Sequence, residues 1–189
     1  MEIDYKEIIL SSEYTEEDEA MSFVENGITY SCDGLRLLKV TANSSDKIII
    51  RKDVLVICDE AFSNCMASEV VMPDSLVLIG EWAFDTSRLE IVTIPSNVIE
   101  IGSRAFSGCH QLKQVFFENV KVLKIGNYAF DGCHNLEPKC ITEIEKQFGS
   151  RVFREVISKE GVSHSSSSGS LGSDYDSEMP YYVINDWAW

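Results

Sequence analysis

The stretch "IGSRAFSGC" at residues 101–109 decides the fold, because the chain contains it four times in recognisable form. The related stretches are "ICDEAFSNC" (57–65), "IGEWAFDTS" (79–87) and "IGNYAFDGC" (125–133). The intervals between their phenylalanines are 22, 22 and 24 residues. A nearly fixed period of this length is typical of repeat proteins in which each unit packs against the next.

A unit this short cannot bury its own apolar side chains, so it has to stack on a neighbour. The positions that stay apolar in every copy include the phenylalanine and an isoleucine five residues before it. They are Phe62, Phe84, Phe106, Phe130, Ile57, Ile79, Ile101 and Ile125. We therefore predict a mostly β repeat solenoid of short strands joined by turns or 3-10 turns, with small α/β caps and these residues as shared core columns.

A glycine follows the isoleucine in three of the copies, at Gly80, Gly102 and Gly126. Glycine tolerates a positive φ better than other residues, so we expect a left-handed backbone there. Cys58 takes this position in the first copy, so glycine is not strictly required in that unit.

The pattern V-x-x-I-G-x-x-A-F-x-x-C, followed by L and V-x-I-P, resembles the BspA-like leucine-rich repeats over about residues 46–137. The resemblance implies a curved, right-handed, leucine-rich-repeat-like solenoid in which each unit gives a short strand to one sheet. It also implies a bacterial protein, often at the cell surface, that is associated with adhesion or protein binding. No enzymatic activity is expected from such repeats.

The chain divides into four predicted segments. Residues 1–45 form an acidic segment and a capping hairpin, with Thr15 and Asp18 as a capping box and 23–40 as the hairpin. Residues 46–137 hold the four repeats. Residues 138–161 form a C-terminal cap of a helix, ending at Gly149, and a strand at "RVFREVI" (151–157). Residues 162–189 are a serine-rich linker, natural or artificial, and an acidic aromatic tail.

The formal net charge of −15 resides largely in the ends of the chain. Residues 1–21 contain eight acidic residues and one lysine, and residues 162–189 contain four acidic residues and no lysine or arginine. Such a surface repels phosphate, so we expect no nucleic-acid partner.

No run of 18 apolar residues suggests a membrane span. The first residues lack a secretion signal, so a native start favours the cytoplasm, whereas the resemblance favours a surface or secreted location.

The cysteines and histidines are residue types that bind metals, but their spacing does not match a metal site. Cys109-His110 and Cys133-His134 recur 24 residues apart, but structural zinc sites use closer spacings. Cys65 falls in the same column, where Ser87 replaces cysteine, so we expect small reduced core residues, with disulfides between neighbouring units as the alternative. We expect no metal, no cofactor and no catalytic residue.

The leading functional hypothesis is a non-catalytic protein-binding module whose strands present every second residue outward. The candidate binding face is Glu69, Val71, Ile91, Thr93, Gln114 and Phe116. The alternative is a structural protein that self-associates through its tail. The candidate tail residues are Tyr181, Tyr182, Trp187 and Trp189. The tail either folds back on its own solenoid, binds another protein or another copy, or stays disordered.

Overall fold

The repeats fold into two parallel sheets, because each copy contains two extended apolar segments separated by turns. The computed structural model describes residues 11–41, 46–118 and 124–153, all within one unit, Ser11–Glu155. Each turn of the solenoid, called a rung below, contributes one strand to each sheet. The predicted mostly β solenoid is confirmed.

The first sheet has four strands in the order β10-β8-β6-β4, and the neighbours pair in parallel. Its strands are β4 (Lys47–Ile49), β6 (Glu69–Val71), β8 (Ile91–Ile94) and β10 (Gln114–Phe117). Their alternation of buried and exposed residues is the period of two that a sheet with one covered face requires. Val70, Val92 and Val115 face the core, and the residues between them face solvent.

The second sheet has seven strands, of which the first three precede the repeats: β1 (Phe23–Glu25), β2 (Ile28–Tyr30) and β3 (Arg36–Val40). Its order is β1-β2-β3-β5-β7-β9-β11. The repeats supply β5 (Val56–Ile57), β7 (Leu78–Ile79), β9 (Glu100–Ile101) and β11 (Lys124–Ile125). The expectation of a single sheet is therefore wrong. Each of these strands is only two residues long, and neighbouring rungs pair in register, so that Ile79 pairs with Ile57 and with Ile101.

The four phenylalanines stack on one another in the core, and each has no exposed surface. Ring centroids of successive rungs are 4.6, 5.0 and 5.3 Å apart, with interplanar angles of 18°, 4° and 7°. The backbone follows the same column, because the Phe62, Phe84 and Phe106 amides donate to the carbonyl of the alanine in the next rung at 2.6–2.8 Å. Burying a phenylalanine contributes roughly 1.5–3 kcal/mol, so the column is a major part of the core.

The expectation of a positive φ at Gly80, Gly102 and Gly126 is wrong, because the positive-φ residues lie elsewhere in the turn. They stand two residues before and two residues after each phenylalanine: Glu60, Trp82, Arg104 and Tyr128, then Asn64, Thr86, Gly108 and Gly132. The three glycines serve close approach between rungs. A Cβ on Gly102 would lie 2.6 Å from both the Glu81 nitrogen and the Gly80 carbonyl carbon.

An N-terminal cap covers the first rung. Helix α1 (Glu16–Ala20) begins at the Thr15 capping box, in which the Thr15 amide donates to the Asp18 carboxylate at 2.9 Å. The antiparallel strands β1 (Phe23–Glu25), β2 (Ile28–Tyr30) and β3 (Arg36–Val40) follow. β3 then pairs in parallel with β5, so it acts as the rung before the first repeat.

A C-terminal cap covers the last rung. Helix α2 (Pro138–Phe148) starts with proline at its first turn and ends at Gly149, which has φ 83°. The predicted strand at 151–157 is wrong for its first residues, because Ser150–Val152 form a 3-10 turn. Residues 154–157 lie outside the described residues. The Arg151 and Val152 carbonyls accept from the Tyr128 and Phe130 amides at 2.9 Å, so this turn supplies the acceptors of a missing rung.

Candidate functional site

The outer face of the four-stranded sheet brings the predicted binding residues together. Neighbouring strands of this sheet pair in register, so one residue of each rung lies in a row across the strands. The pairs that fix this register are Ile49–Val71, Glu69–Ile91 and Thr93–Phe116. This row is Ile49, Val71, Thr93 and Phe116. A second row, two residues earlier, is Lys47, Glu69, Ile91 and Gln114. We call the two rows together the outer sheet face.

The outer sheet face is rich in exposed apolar surface. Ile49, Val71, Ile91 and Phe116 are 68%, 38%, 46% and 50% exposed. Glu69 and Thr93 are exposed as well, and Gln114 is half-buried. Sequence reasoning missed Ile49, although it stands 22 residues before Val71 and follows the same alternation.

Polar contacts between rungs hold the amino-terminal ends of these strands. Lys47 Nζ lies 2.7 Å from Glu69 Oε1, and Lys113 Nζ lies 2.7 Å from Glu90 Oε2. Gln114 Nε2 donates to Glu137 Oε1 at 2.7 Å. Because each contact joins neighbouring rungs, these contacts help to hold the strands that carry the exposed apolar side chains in fixed positions.

A shallow groove of about 670 Å³ runs over β6 and β8 on this face. Val71, Ile91, Thr93 and Pro95 form part of its floor and wall. The acidic residues that line it are Glu69, Asp74, Glu90 and Glu118. The groove is therefore an apolar surface bordered by carboxylates.

The turn that contains each phenylalanine carries a second ordered surface. Trp82, Arg104 and Tyr128 stand at equivalent positions in successive rungs, all with φ between 53° and 59°. The Arg104 guanidinium lies 4.7 Å from the centroid of Trp82 and 5.5 Å from that of Tyr128. This cation–π stack already fills the facing sides of both rings, so it reads as a contact between rungs.

The cysteines of the repeats are buried, and two of them donate to backbone carbonyls. Cys109 Sγ donates to the Phe84 carbonyl and Cys133 Sγ to the Phe106 carbonyl, both at 3.1 Å. The hydrogen bond with Cys109, together with burial, raises the pKa of Cys133, and burial raises the pKa of Cys58 to about 12. The five cysteines from Cys58 to Cys140 are buried free thiols, and Cys32 is an exposed one.

The two histidines beside these cysteines are exposed and stack on each other. The rings of His110 and His134 are 5.5 Å apart and nearly parallel, and His110 Nδ1 lies 2.9 Å from the Gly132 carbonyl oxygen. Within the part of the chain that the structure describes, no three His, Cys, Asp or Glu side chains form a group that could hold a metal ion. The predicted tail residues Tyr181, Tyr182, Trp187 and Trp189 lie outside the described residues.

Carboxylates near the N-terminal cap are partly removed from water. Burial raises the pKa of Asp59; the hydrogen bonds from Ser12 and from the Glu81 amide, the latter at 2.7 Å, oppose this rise, and the charges of Glu13 and Glu60 add to it. Burial likewise raises the pKa of Glu81 and of Asp85. These groups therefore hold protons more tightly in the folded state than in the unfolded state.

This difference gives a pH dependence with a definite sign. Because the folded pKa of Asp59 is raised, its stabilising contribution is complete below the unfolded value of about 3.9 and is lost as pH rises through the folded value. We expect Asp59→Asn to raise the melting temperature at neutral pH and the gain to shrink as pH falls toward 4, because the amide oxygen can still accept from Glu81. Thermal melts of both proteins from neutral to weakly acidic pH check this.

The matched control is Asp74→Asn, at an exposed carboxylate. A gain for Asp59→Asn that is the same at all pH values, or equal to that of the control, would contradict the assignment. At still lower pH both proteins should lose stability together, because the hydrogen bond from the Thr15 amide, with the charge of Arg36, lowers the pKa of Asp18 in the folded state.

Comparison with known proteins agrees with this architecture. A leucine-rich repeat protein from Eubacterium ventriosum ATCC 27560 aligns with 61% of this chain and 32% of its own, at 23% identity and a TM-score of 0.53. A leucine rich cell surface protein from Faecalibacterium prausnitzii A2-165 aligns with 38% of this chain and 19% of its own, at 36% identity and a TM-score of 0.37. The chain thus spans a third or less of each protein. The first likeness shows the fold.

A comparison with curated protein sequences gives no significant match. No helix within residues 11–41, 46–118 and 124–153 is both long and apolar enough to cross a bilayer. The model of the BspA type leucine rich repeat region matches residues 41–160 in six copies, a range that includes the four predicted repeats and extends past both ends of them. The predicted resemblance is confirmed: the chain belongs to the BspA-type leucine-rich repeat family.

Proposed function

We propose that this chain is a non-catalytic protein-binding module that acts in adhesion or another interaction at a bacterial cell surface, and that the outer sheet face is its contact surface. Leucine-rich repeat regions are in general non-enzymatic scaffolds, and solenoids use extended faces for binding. The observation that carries the proposal is the exposure of Ile49, Val71, Ile91 and Phe116 on one rigid face. Contiguous apolar surface of this kind marks interaction sites.

The chemistry of this face favours a protein over other ligands. Phosphate and nucleic-acid ligands need lysine or arginine, and the described lining of the groove contains neither. In-register parallel strands fix the positions of the exposed side chains, so binding costs little ordering entropy. An aromatic residue such as Phe116 is the type of side chain that dominates protein interfaces.

The proposal is tested by site-specific cross-linking of the full chain. A photoreactive benzoylphenylalanine at Thr93, in the middle of the outer sheet face, should form an adduct with a surface protein that mass spectrometry identifies. The same group at Lys139, an exposed position on α2, should not form that adduct. Adducts of equal yield at both positions would contradict a specific face.

The identified partner then allows a binding measurement. We expect Phe116→Asp to weaken the affinity at least about tenfold, because it places a charge in the apolar contact. Met66→Asp is the matched control, since Met66 is a comparably exposed apolar residue outside the outer sheet face. Unchanged affinity for Phe116→Asp would exclude the outer sheet face. On the producing cells, antibodies should label intact cells, and Phe116→Asp should reduce attachment.

Self-association through the aromatic tail is the competing outcome. In that case the cross-linked product from Thr93 is a second copy of this chain. Size-exclusion chromatography with light scattering of the full chain and of a chain lacking residues 163–189 separates the two hypotheses, because only self-association predicts that truncation converts an oligomer into a monomer.

A further inference from the structure

The groove on the outer sheet face has carboxylates on both sides. On one side they form ion pairs with lysines, and on the other side they form none with the described residues. At the amino-terminal ends of the strands, Glu69 and Glu90 each pair with a lysine of a neighbouring rung at 2.7 Å. At the carboxyl-terminal ends stand Asp74 after β6 and Glu118 after β10. Within residues 11–41, 46–118 and 124–153 neither has an ion-pair partner. We call Asp74 and Glu118 the acidic rim.

The acidic rim lies beside apolar surface that has no charge of its own. Val71, Ile91 and Pro95 line the same groove, and no lysine or arginine does so among the described residues. Two carboxylates beside a low-dielectric surface attract cations more strongly than the same charges surrounded by water. The complementary ligand therefore carries positive charge along one side and apolar side chains along the other.

The distance across the rungs indicates the form of this ligand. Asp74 and Glu118 belong to the second and fourth rungs, about 10 Å apart at the spacing of about 4.8 Å between hydrogen-bonded strands. Residues i and i+7 of an α-helix lie on one side and are about 10.5 Å apart. A segment that lies on the face of a sheet finds no backbone partners there, which favours a helix because it satisfies its own hydrogen bonds.

We propose that the segment recognised by this face is a basic amphipathic helix of the partner protein, with lysine or arginine at positions i and i+7 on the acidic rim. Its apolar residues pack on Val71, Ile91 and Phe116. This inference rests on the proposed function and adds the chemical class of the partner. Because the charges sit at the edge of the contact, they set the preference for the partner and the association rate, while the apolar surface supplies most of the affinity.

The test uses the full chain and two labelled synthetic peptides that form amphipathic helices with the same leucine face. One peptide carries lysine at positions i and i+7, and the other carries glutamate there. Fluorescence anisotropy should show at least about tenfold tighter binding of the lysine peptide, with the preference falling at high salt. In the double variant Asp74→Lys/Glu118→Lys the preference should reverse to the glutamate peptide.

The control for net charge is Glu16→Lys/Glu17→Lys, which changes the charge equally on helix α1, outside the groove. It should leave the preference for the lysine peptide nearly unchanged. Equal effects of the two double variants, or equal binding of the two peptides to the original chain, would overturn the inference. If Phe116→Asp abolishes binding of the cross-linked partner while the acidic-rim variant does not weaken it, only the partner class is wrong and the proposed function stands.

Discussion

Phe106→Ala is expected to lower the free energy of unfolding by about 3–5 kcal/mol, the usual range for a buried phenylalanine truncated to alanine. Phe106 has no exposed surface and lies between two other rings, with centroids 5.0 Å from Phe84 and 5.3 Å from Phe130. Neither neighbour can relax far into the cavity, because the amides of Phe84 and Phe130 are each hydrogen-bonded to a carbonyl of the following turn.

The measurement is urea unfolding followed by circular dichroism, with the slope of the transition checked for two-state behaviour. Arg104→Ala is the matched control, two residues away in the same turn. Arg104 is exposed and contributes its stack on Trp82 and Tyr128, so we expect a loss of about 1 kcal/mol or less. Equal losses of unfolding free energy at the two positions would mean that the stacked phenylalanine rings do not stabilise the core.

Gly102→Ala is expected to destabilise the fold by about 3 kcal/mol or more, because overpacking against backbone cannot be relieved by a rotamer change. The new Cβ would lie 2.6 Å from the Glu81 nitrogen and 2.6 Å from the Gly80 carbonyl carbon. Both atoms belong to the preceding rung, so the two rungs would have to separate.

Gly149→Ala is the control for this change, because its Cβ would meet nothing within 4 Å. Gly149 has φ 83° and ψ 165°, a backbone region essentially restricted to glycine, so alanine there carries a backbone cost of about 1–3 kcal/mol but no steric one. Melting temperatures and urea midpoints measure the two effects separately: Gly102→Ala reports the close contact between rungs, and Gly149→Ala reports the backbone strain. If Gly149→Ala is the more harmful change, close contact between rungs is not what selects glycine at 102.

The sequence was sufficient to predict the solenoid, because the phenylalanine and isoleucine positions repeat with a period that only stacking explains. It was insufficient for the second sheet. Strands of two residues, such as Leu78–Ile79, are too short for a period of two to be visible. The role of Gly102 was predicted wrongly, since a recurring glycine does not tell whether φ or a neighbouring backbone favours it.

The candidate site was partly predictable for a related reason. Alternation along "VVM", "VTI" and "VFF" marks Val71, Thr93 and Phe116 as the outward residues, and they are exposed in the structure. Ion pairs such as Lys113–Glu90 join residues 23 positions apart, so only the stacking of the rungs reveals them. The asymmetry of the groove follows from those pairs, and the sequence alone gives no sign of it.

The backbone ladder has a mechanical consequence. Amide-to-carbonyl bonds join Val40 to Ala61 and continue rung by rung to Phe130 and Val152, so every link along this column runs between adjacent turns. Tension applied across the two ends loads these links in series, and the turn at an end yields before those inside. Each turn that peels away releases 22–24 residues, roughly 75 Å of extended chain, so the array lengthens in steps and dissipates work while its inner turns keep their shape.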